Sequence, residues 1–435
     1  MRVWGRFWLG AGLSAICACA GQEEQATSAA PELTTPAPVP TVSAPPPKPA
    51  IPVWSAENIR DLHPVAPTRS VKVSRAISSL AAYDEALTTL SPVIEGFAGD
   101  PENPWAVAHG VLARGAEFRL SDGRPAIAHL FATYSEPRTI GTLTLIGFPR
   151  SRGATRIEPH TDLILKNISE AGLSPDTTFS AGGGTVTVAD LYRYTLLKTF
   201  LVPDSNKSSY DAPNDMPWGV QALATWAPSG PLRWRTGDGT AMDLDELTHF
   251  LVAVVHQESK FMFDAMRKGE KFERSGQSLF SYTCGGAHIV QGAAYAVARG
   301  YGHPEDRKFI ELQVPLLFYR LPVELRIYDD AMAKNSKFHI PLLEQRMKFL
   351  GHFLETMSKL QALGIFTPDD TQAAALEGAA QNLSLTVAAL KKAKVFDHLP
   401  ELRKADEQLY LDVVGDSAHA VRGLELAMGR GSIAY

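Results

Sequence analysis

The sequence predicts an all-α protein: six helical hairpins closed into an (α/α)6 toroid, with a minor β-hairpin insertion. Three observations carry this expectation. Through most of 54–435, apolar residues recur at three- and four-residue steps, the period of a helix with one buried face. The helical stretches pair into hairpins of roughly 60 residues each, a spacing at which internal repeats are expected. Six segments share a small or turn-forming residue, a histidine or its stand-in, and a helical apolar run. The marked residues are His109, His160, Trp218, His288, His352 and His419, spaced 51, 58, 70, 64 and 67 apart. Hairpins that each bury one face must stack on their neighbours, and six of them can close into a ring. The N-terminal ends of alternate helices would then face one mouth, with unsatisfied N–H groups and a positive partial charge.

The elements follow in chain order. Residues 1–18 have Arg2 and Arg6 ahead of a short apolar stretch, which predicts a secretory signal. Ile16-Cys17-Ala18-Cys19 resembles a bacterial lipobox, so Cys19 is the expected lipid attachment site and the membrane an expected partner. An ordinary signal peptide cut after Ala20 is the alternative. Ala20 rather than Asp after Cys19 points to the outer membrane or cell surface of a bacterial envelope. Residues 19–53 are rich in proline and predict a disordered, extended stalk. The folded domain is then expected over 54–435.

Helices are predicted over 73–97, 104–118, 159–172, 188–202, 216–226, 243–268, 285–300, 306–333, 341–364, 369–392, 401–411 and 416–428. Thr367-Pro368-Asp369-Asp370 offers a cap with proline in the first turn. Weak alternation at 139–148 predicts a short hairpin arm, and 233–236 is a minor strand candidate.

Composition limits the function. The chain has 435 residues, 45% of them hydrophobic and 20% charged, which excludes a wholly disordered chain. After the first 20 residues no apolar run can cross a bilayer as a helix. A net charge of −5 gives no overall footprint for nucleic acid. Three cysteines are too few for a disulfide framework, and once Cys17 is removed and Cys19 acylated only Cys284 remains.

Cys284-Gly285-Gly286-Ala287-His288 is the sharpest local motif. If the helix starts at Cys284 or Gly285, thiol and imidazole lie one turn apart on one face and can share a metal or form a nucleophile–base pair. A helix N-terminus would lower the thiol pKa, which favours either use. Tight packing of an inert thiol is the alternative. His109 and His419 would complete a zinc site with Cys284 and His288, since catalytic zinc takes three protein ligands and leaves one position open. Glu158 and Asp416 sit beside marked residues. They would serve as histidine-orienting acceptors, or as a general acid and base on a glycan, or as helix caps. His160, Trp218, His352 and Asp416 are the other residues expected at the mouth. His249 and His256 share a helix face two turns apart, too far for one metal without partners. H-E-x-x-H, G-x-S-x-G and P-loop patterns are absent, and Ala181-Gly-Gly-Gly-Thr185 reads as a turn feeding the next helix.

With these residues in hand, 70–430 resembles the α/α-toroid superfamily: terpene cyclases, protein prenyltransferase β-subunits, lanthionine synthetase-like cyclases and glycan-active (α/α)6 enzymes. His109-Gly110 and Cys284…His288 are similar to the Ala-His-Gly and zinc-ligand stretches of the lanthionine cyclases. The separate Cys-His-Gly element of that family is absent, as is the Asp-x-Asp-Asp element of terpene cyclases. The whole also resembles bacterial envelope lipoproteins labelled GTPase-activating proteins for ADP-ribosylation factors. That activity needs a four-cysteine zinc finger, which one free cysteine cannot supply. The expectation is an envelope lipoprotein that binds a small molecule, glycan or protein ligand at the mouth. It would act there as a zinc- or Cys/His-dependent enzyme, as a non-catalytic scaffold, or as a glycan-active enzyme.

Overall fold

Fourteen α-helices dominate the described residues of the computed structural model, which are 51–67, 70–198, 201–202, 207–208, 216–272, 279–281, 284 and 286–435. The expected signal segment, Cys19 and nearly all of the expected stalk lie outside them. The stalk's expected end at 53 does not coincide with the fold, because Val53–Trp54 already pairs in parallel with Arg233 and Trp234.

In chain order the helices are α1 Ala81–Pro92, α2 Pro104–Arg114, α3 Ala126–Tyr134, α4 Leu163–Glu170, α5 Val188–Leu197, α6 Met216–Trp226 and α7 Leu244–Glu258. They continue with α8 Lys260–Lys268, α9 Ala287–Ala298, α10 Asp306–Lys334, α11 His339–Ala362, α12 Asp370–Lys392, α13 Leu399–Ala405 and α14 Glu407–Ala427. Six of them pack in sequence: α2 on α4, α4 on α6, α6 on α9, α9 on α11, α11 on α14 and α14 back on α2. All six are buried over much of their length and bear or adjoin the six marked residues. The intervening helices flank this set, α5 against α6, α7 and α10 against α9, and α12 against α11.

The periodicity locates most helices but not their limits. α3, with His129 and Leu130 buried, was not expected. The single helix expected over 243–268 is two, divided at Ser259. Expected at 401–411 and 416–428, the last helices are instead the short α13 and the 21-residue α14. The reason is a cap: the Asp406 carboxylate accepts from the Leu409 N–H at 3.0 Å, so α14 starts there and runs through Gly415. The cap expected within 367–370 falls on Asp369, so Pro368 precedes α12 rather than entering its first turn; Asp369 accepts from the Gln372 N–H at 2.8 Å while Gln372 accepts from the Asp369 N–H.

Strands are short and peripheral. Glu136–Ile140 and Leu143–Gly147 form the expected hairpin arm, and Arg233–Arg235 pairs with Ala241–Asp243. A further hairpin joins Thr178–Ala181 to Gly184–Thr187, turning through Gly182 and Gly183 at φ 57° and 81°, and then feeds α5. Ser432–Ala434 pairs antiparallel with Ser70–Lys72, so the end of the domain is tied to its beginning.

Candidate metal centre

The centre is built on the facing sides of α11 and α14. Glu344, Lys348, His352, Glu355 and Lys359 recur at three- and four-residue steps on α11, and Asp412, Asp416, His419 and Arg422 do so on α14. They form a ladder. Lys348 Nζ lies 3.5 Å from Asp412 and 3.2 Å from Asp416, His352 Nε2 lies 3.7 Å from Asp416 Oδ1, and His419 Nδ1 donates to Glu355 Oε2 at 2.6 Å. The helices approach closely because small residues line the seam. A Cβ on Gly351 would stand 2.8 Å from the Ala420 nitrogen, and one on Gly423 would stand 2.7 Å from the Gly351 carbonyl oxygen.

Around this ladder the marked residues converge. The His352 and His419 rings are 3.8 Å apart, His288 and His352 4.8 Å, Trp218 and His288 4.4 Å, His109 and His419 5.6 Å, and His160 and His288 6.4 Å. Their positions on the helices differ from expectation. Only His160, Trp218 and His288 stand at or near helix starts, whereas His109 and His419, like His352, lie inside α2, α14 and α11. Asp416 is likewise no cap but an interior residue of α14. The cluster therefore gathers residues from helix starts and helix interiors alike, rather than from helix N-termini only. A cavity of about 620 Å³ lies at the C-terminal ends of α2 and α4, beside Arg422 and Glu425.

Two donor groups emerge from the cluster. Cys284 Sγ and one nitrogen each of His288 and His352 lie within 4.8 Å of one another, and so do one donor each of His352, Glu355 and His419. His352, expected only as a mouth residue, thus takes the place that His109 and His419 were expected to hold beside Cys284 and His288. The Nδ1 of His109 donates instead to the Trp105 carbonyl at 2.8 Å. Neither ring nitrogen of His288, nor Nδ1 of His352, has a hydrogen-bond partner among the described residues, although the two residues are only 6% and 3% exposed. Buried polar atoms without partners are costly and rare, and a cation would satisfy them.

Burial sets the protonation states. It holds His288 and His352 well below the ordinary histidine range, helped by neighbouring histidines, and it takes His109 to about 3. Neutral imidazole is the metal-binding form. The Cys284 thiol precedes α9 by three residues, and burial pushes it up, opposite to the lowering expected of a helix start. That disfavours a thiolate–imidazolium nucleophile pair, whereas a coordinating metal deprotonates a thiol outright. Beside Asp416, burial and that neighbouring carboxylate raise Glu344 well above the usual carboxylate range.

Glu158 belongs to no donor group. Its Oε1 accepts from the Ile164 N–H at 2.8 Å, the capping role, and burial raises its carboxyl to about 8.

Sequence reasoning missed the charged network below the histidines. Lys359 donates to Glu170 at 2.9 Å, to Gln291 at 3.0 Å and to Glu355. Lys166 lies 3.1 Å from Glu170, and Gln221 donates to the same carboxylate at 2.8 Å. Two i,i+4 Lys–Glu pairs inside apolar helical runs, 166/170 and 355/359, were the available signal.

No family model, curated protein or solved structure matches the chain. Any reading of the centre therefore rests on its own geometry.

Proposed function

We propose that residues 51–435 form an (α/α)6 toroid, with α2, α4, α6, α9, α11 and α14 as its inner ring. In this reading Cys284, His288 and His352 hold a zinc ion, and the protein is a metal-dependent enzyme of the bacterial cell envelope, anchored by lipid on Cys19. The observation that carries the metal reading is the unpartnered, buried His288 ring among donors within 4.8 Å of one another. One thiolate and two imidazoles suit zinc, and three protein ligands are the number that leaves a fourth position for water or substrate. Zinc there would supply Lewis acidity and a bound water of lowered pKa.

The chain's own residues have the following parts. His419, with Nδ1–H held by Glu355, has its ring 3.8 Å from that of His352, as an orienting neighbour or a further donor. Glu344 keeps a proton beside Asp416, and Lys348 keeps its ammonium there, raised by the Asp416 and Asp412 carboxylates against the lowering effect of burial. A carboxyl held protonated is what proton transfer to a leaving group requires. The burial of nearly every residue of the cluster favours a second reading, in which the same ion closes a non-catalytic scaffold through a fourth protein ligand.

Metal analysis of the purified full chain tests the proposal, together with Cys284→Ser and His288→Gln. Zinc should be present in the wild type, and central-site occupancy, read from the thiolate charge-transfer band of the cobalt-substituted protein, should fall at least tenfold in both variants, with the fold retained. A wild type that neither contains zinc nor takes it up would overturn the metal reading. An ion that exchanges no water would select the scaffold over the enzyme.

A further inference from the structure

Away from the central cluster, α7 meets the loop that enters α10. His249, on α7, stacks on His303 with ring centroids 3.9 Å apart and planes at 14°. His249 Nδ1 donates to Asp306 Oδ1 at 2.8 Å, and Asp306 Oδ2 accepts from the His303 backbone N–H at 2.7 Å. Asp306 is fully buried, so one enclosed carboxylate fixes both the ring of His249 and the loop bearing His303. On the rim, His303 Nε2 donates to Glu246 Oε1 at 3.1 Å. Because carboxylates only accept, these bonds protonate Nδ1 of His249 and Nε2 of His303. The lone pairs then lie on the opposite nitrogens, and Glu305 adds an oxygen within 3.9 Å of His303 Nδ1.

We propose that His249, His303 and Glu305 form a second, solvent-accessible site for a divalent transition cation of the zinc type. One donor atom from each of the three lies within 4.8 Å of the others. A tetrahedral ion about 2.1 Å from each would draw them together by less than about 1 Å apiece. The buried carboxylate behind a ligating histidine is the arrangement that raises ligand basicity and fixes the ring. Glu246 and Asp245 add negative charge around the site, and the Asp245 carboxylate also holds the loop by accepting from the Gly302 N–H at 3.0 Å. The occupant would clamp α7 to the start of α10 at the protein surface, independent of Cys284.

Cobalt and zinc titrations of the full chain test this, in a Cys284→Ser background that removes the thiol from the central site. The Cys284→Ser chain should still bind one cobalt ion, with a spectrum lacking the thiolate charge-transfer band, and added zinc should raise its melting temperature. Adding His249→Gln or His303→Gln should weaken this binding at least tenfold and abolish the thermal shift. Glu305→Gln, exposed and without a packing role, should weaken it without altering the metal-free melting temperature. The proposal is overturned if the Cys284→Ser chain binds no ion, or if it binds one that none of the three further substitutions affects. Loss of zinc at the central site alone would overturn the proposed function and leave this site standing.

Discussion

In the proposed zinc reading Cys284 is the ligand whose environment makes a specific statement about protons. Burial keeps His288 and His352 neutral in the folded protein, whereas it holds the thiol protonated. Zinc binding must then release one proton, from the thiol. Between about pH 6 and 8 the apparent affinity should rise about tenfold per pH unit, and calorimetry in buffers of differing ionisation enthalpy should count about one proton released per ion. The sign follows from the raised thiol: lower pH favours S–H and opposes the ion. Protonatable histidines would give a steeper dependence below their ordinary range, so a slope of two or more near pH 6 would contradict the geometry. The thiol and His288 were legible in the sequence as a local pair. His352 as their partner was not, because 64 residues separate it from His288 and only the packing of α9 on α11 brings them together.

At the scale of elements, the seam between α11 and α14 sets the precision of the ladder. Gly351→Ala would place a Cβ against the backbone of Ala420 and His419, at 2.8–3.1 Å, where no side-chain rotation can relieve it. The expected cost is about 1–3 kcal/mol or more, read from denaturant unfolding, with weaker zinc binding because the helices are forced apart. Gly378→Ala is the natural contrast: on α12, nothing lies within 4 Å of the added methyl, and helix propensity should stabilise by about 0.5–1 kcal/mol. Periodicity made α6, α9, α10, α11 and α12 readable because each has a sustained apolar face. It failed at α14, where Gly415 looks like a terminator in sequence. In the fold that glycine makes room for the Trp105 ring, 2.5 Å from a hypothetical Cβ. The break at Ser259 was missed for the opposite reason, since the apolar pattern continues across it into α8.

On the scale of the whole molecule, the anchoring reading predicts that a clickable fatty acid labels the wild type and not Cys19→Ser. Shortening the segment before residue 51 should leave the melting temperature of the domain within about a degree or two, since proline-rich sequence of this kind offers little apolar surface to fold against. Extending the deletion through Trp54 should lower it, because Val53–Trp54 pairs with Arg233 and Trp234. The ring order has a further consequence, for biosynthesis. The helix that joins α11 to α2 is α14, made after the other five of the set, and the strand that pairs with Ser70–Lys72 follows it at 432–434. Until α14 is made, Lys359 can already reach Glu170 and Gln291, but Lys348 lacks Asp412 and Asp416, and Glu355 lacks His419. Glu355 stays without its histidine meanwhile, and complete burial of that face is disfavoured. Chains arrested before residue 407 should be more protease-sensitive than chains that include α14 and Ser432–Ala434, as limited proteolysis of ribosome-bound chains would read. Under the proposed export, such late closure would keep the chain extended while it is threaded through a membrane.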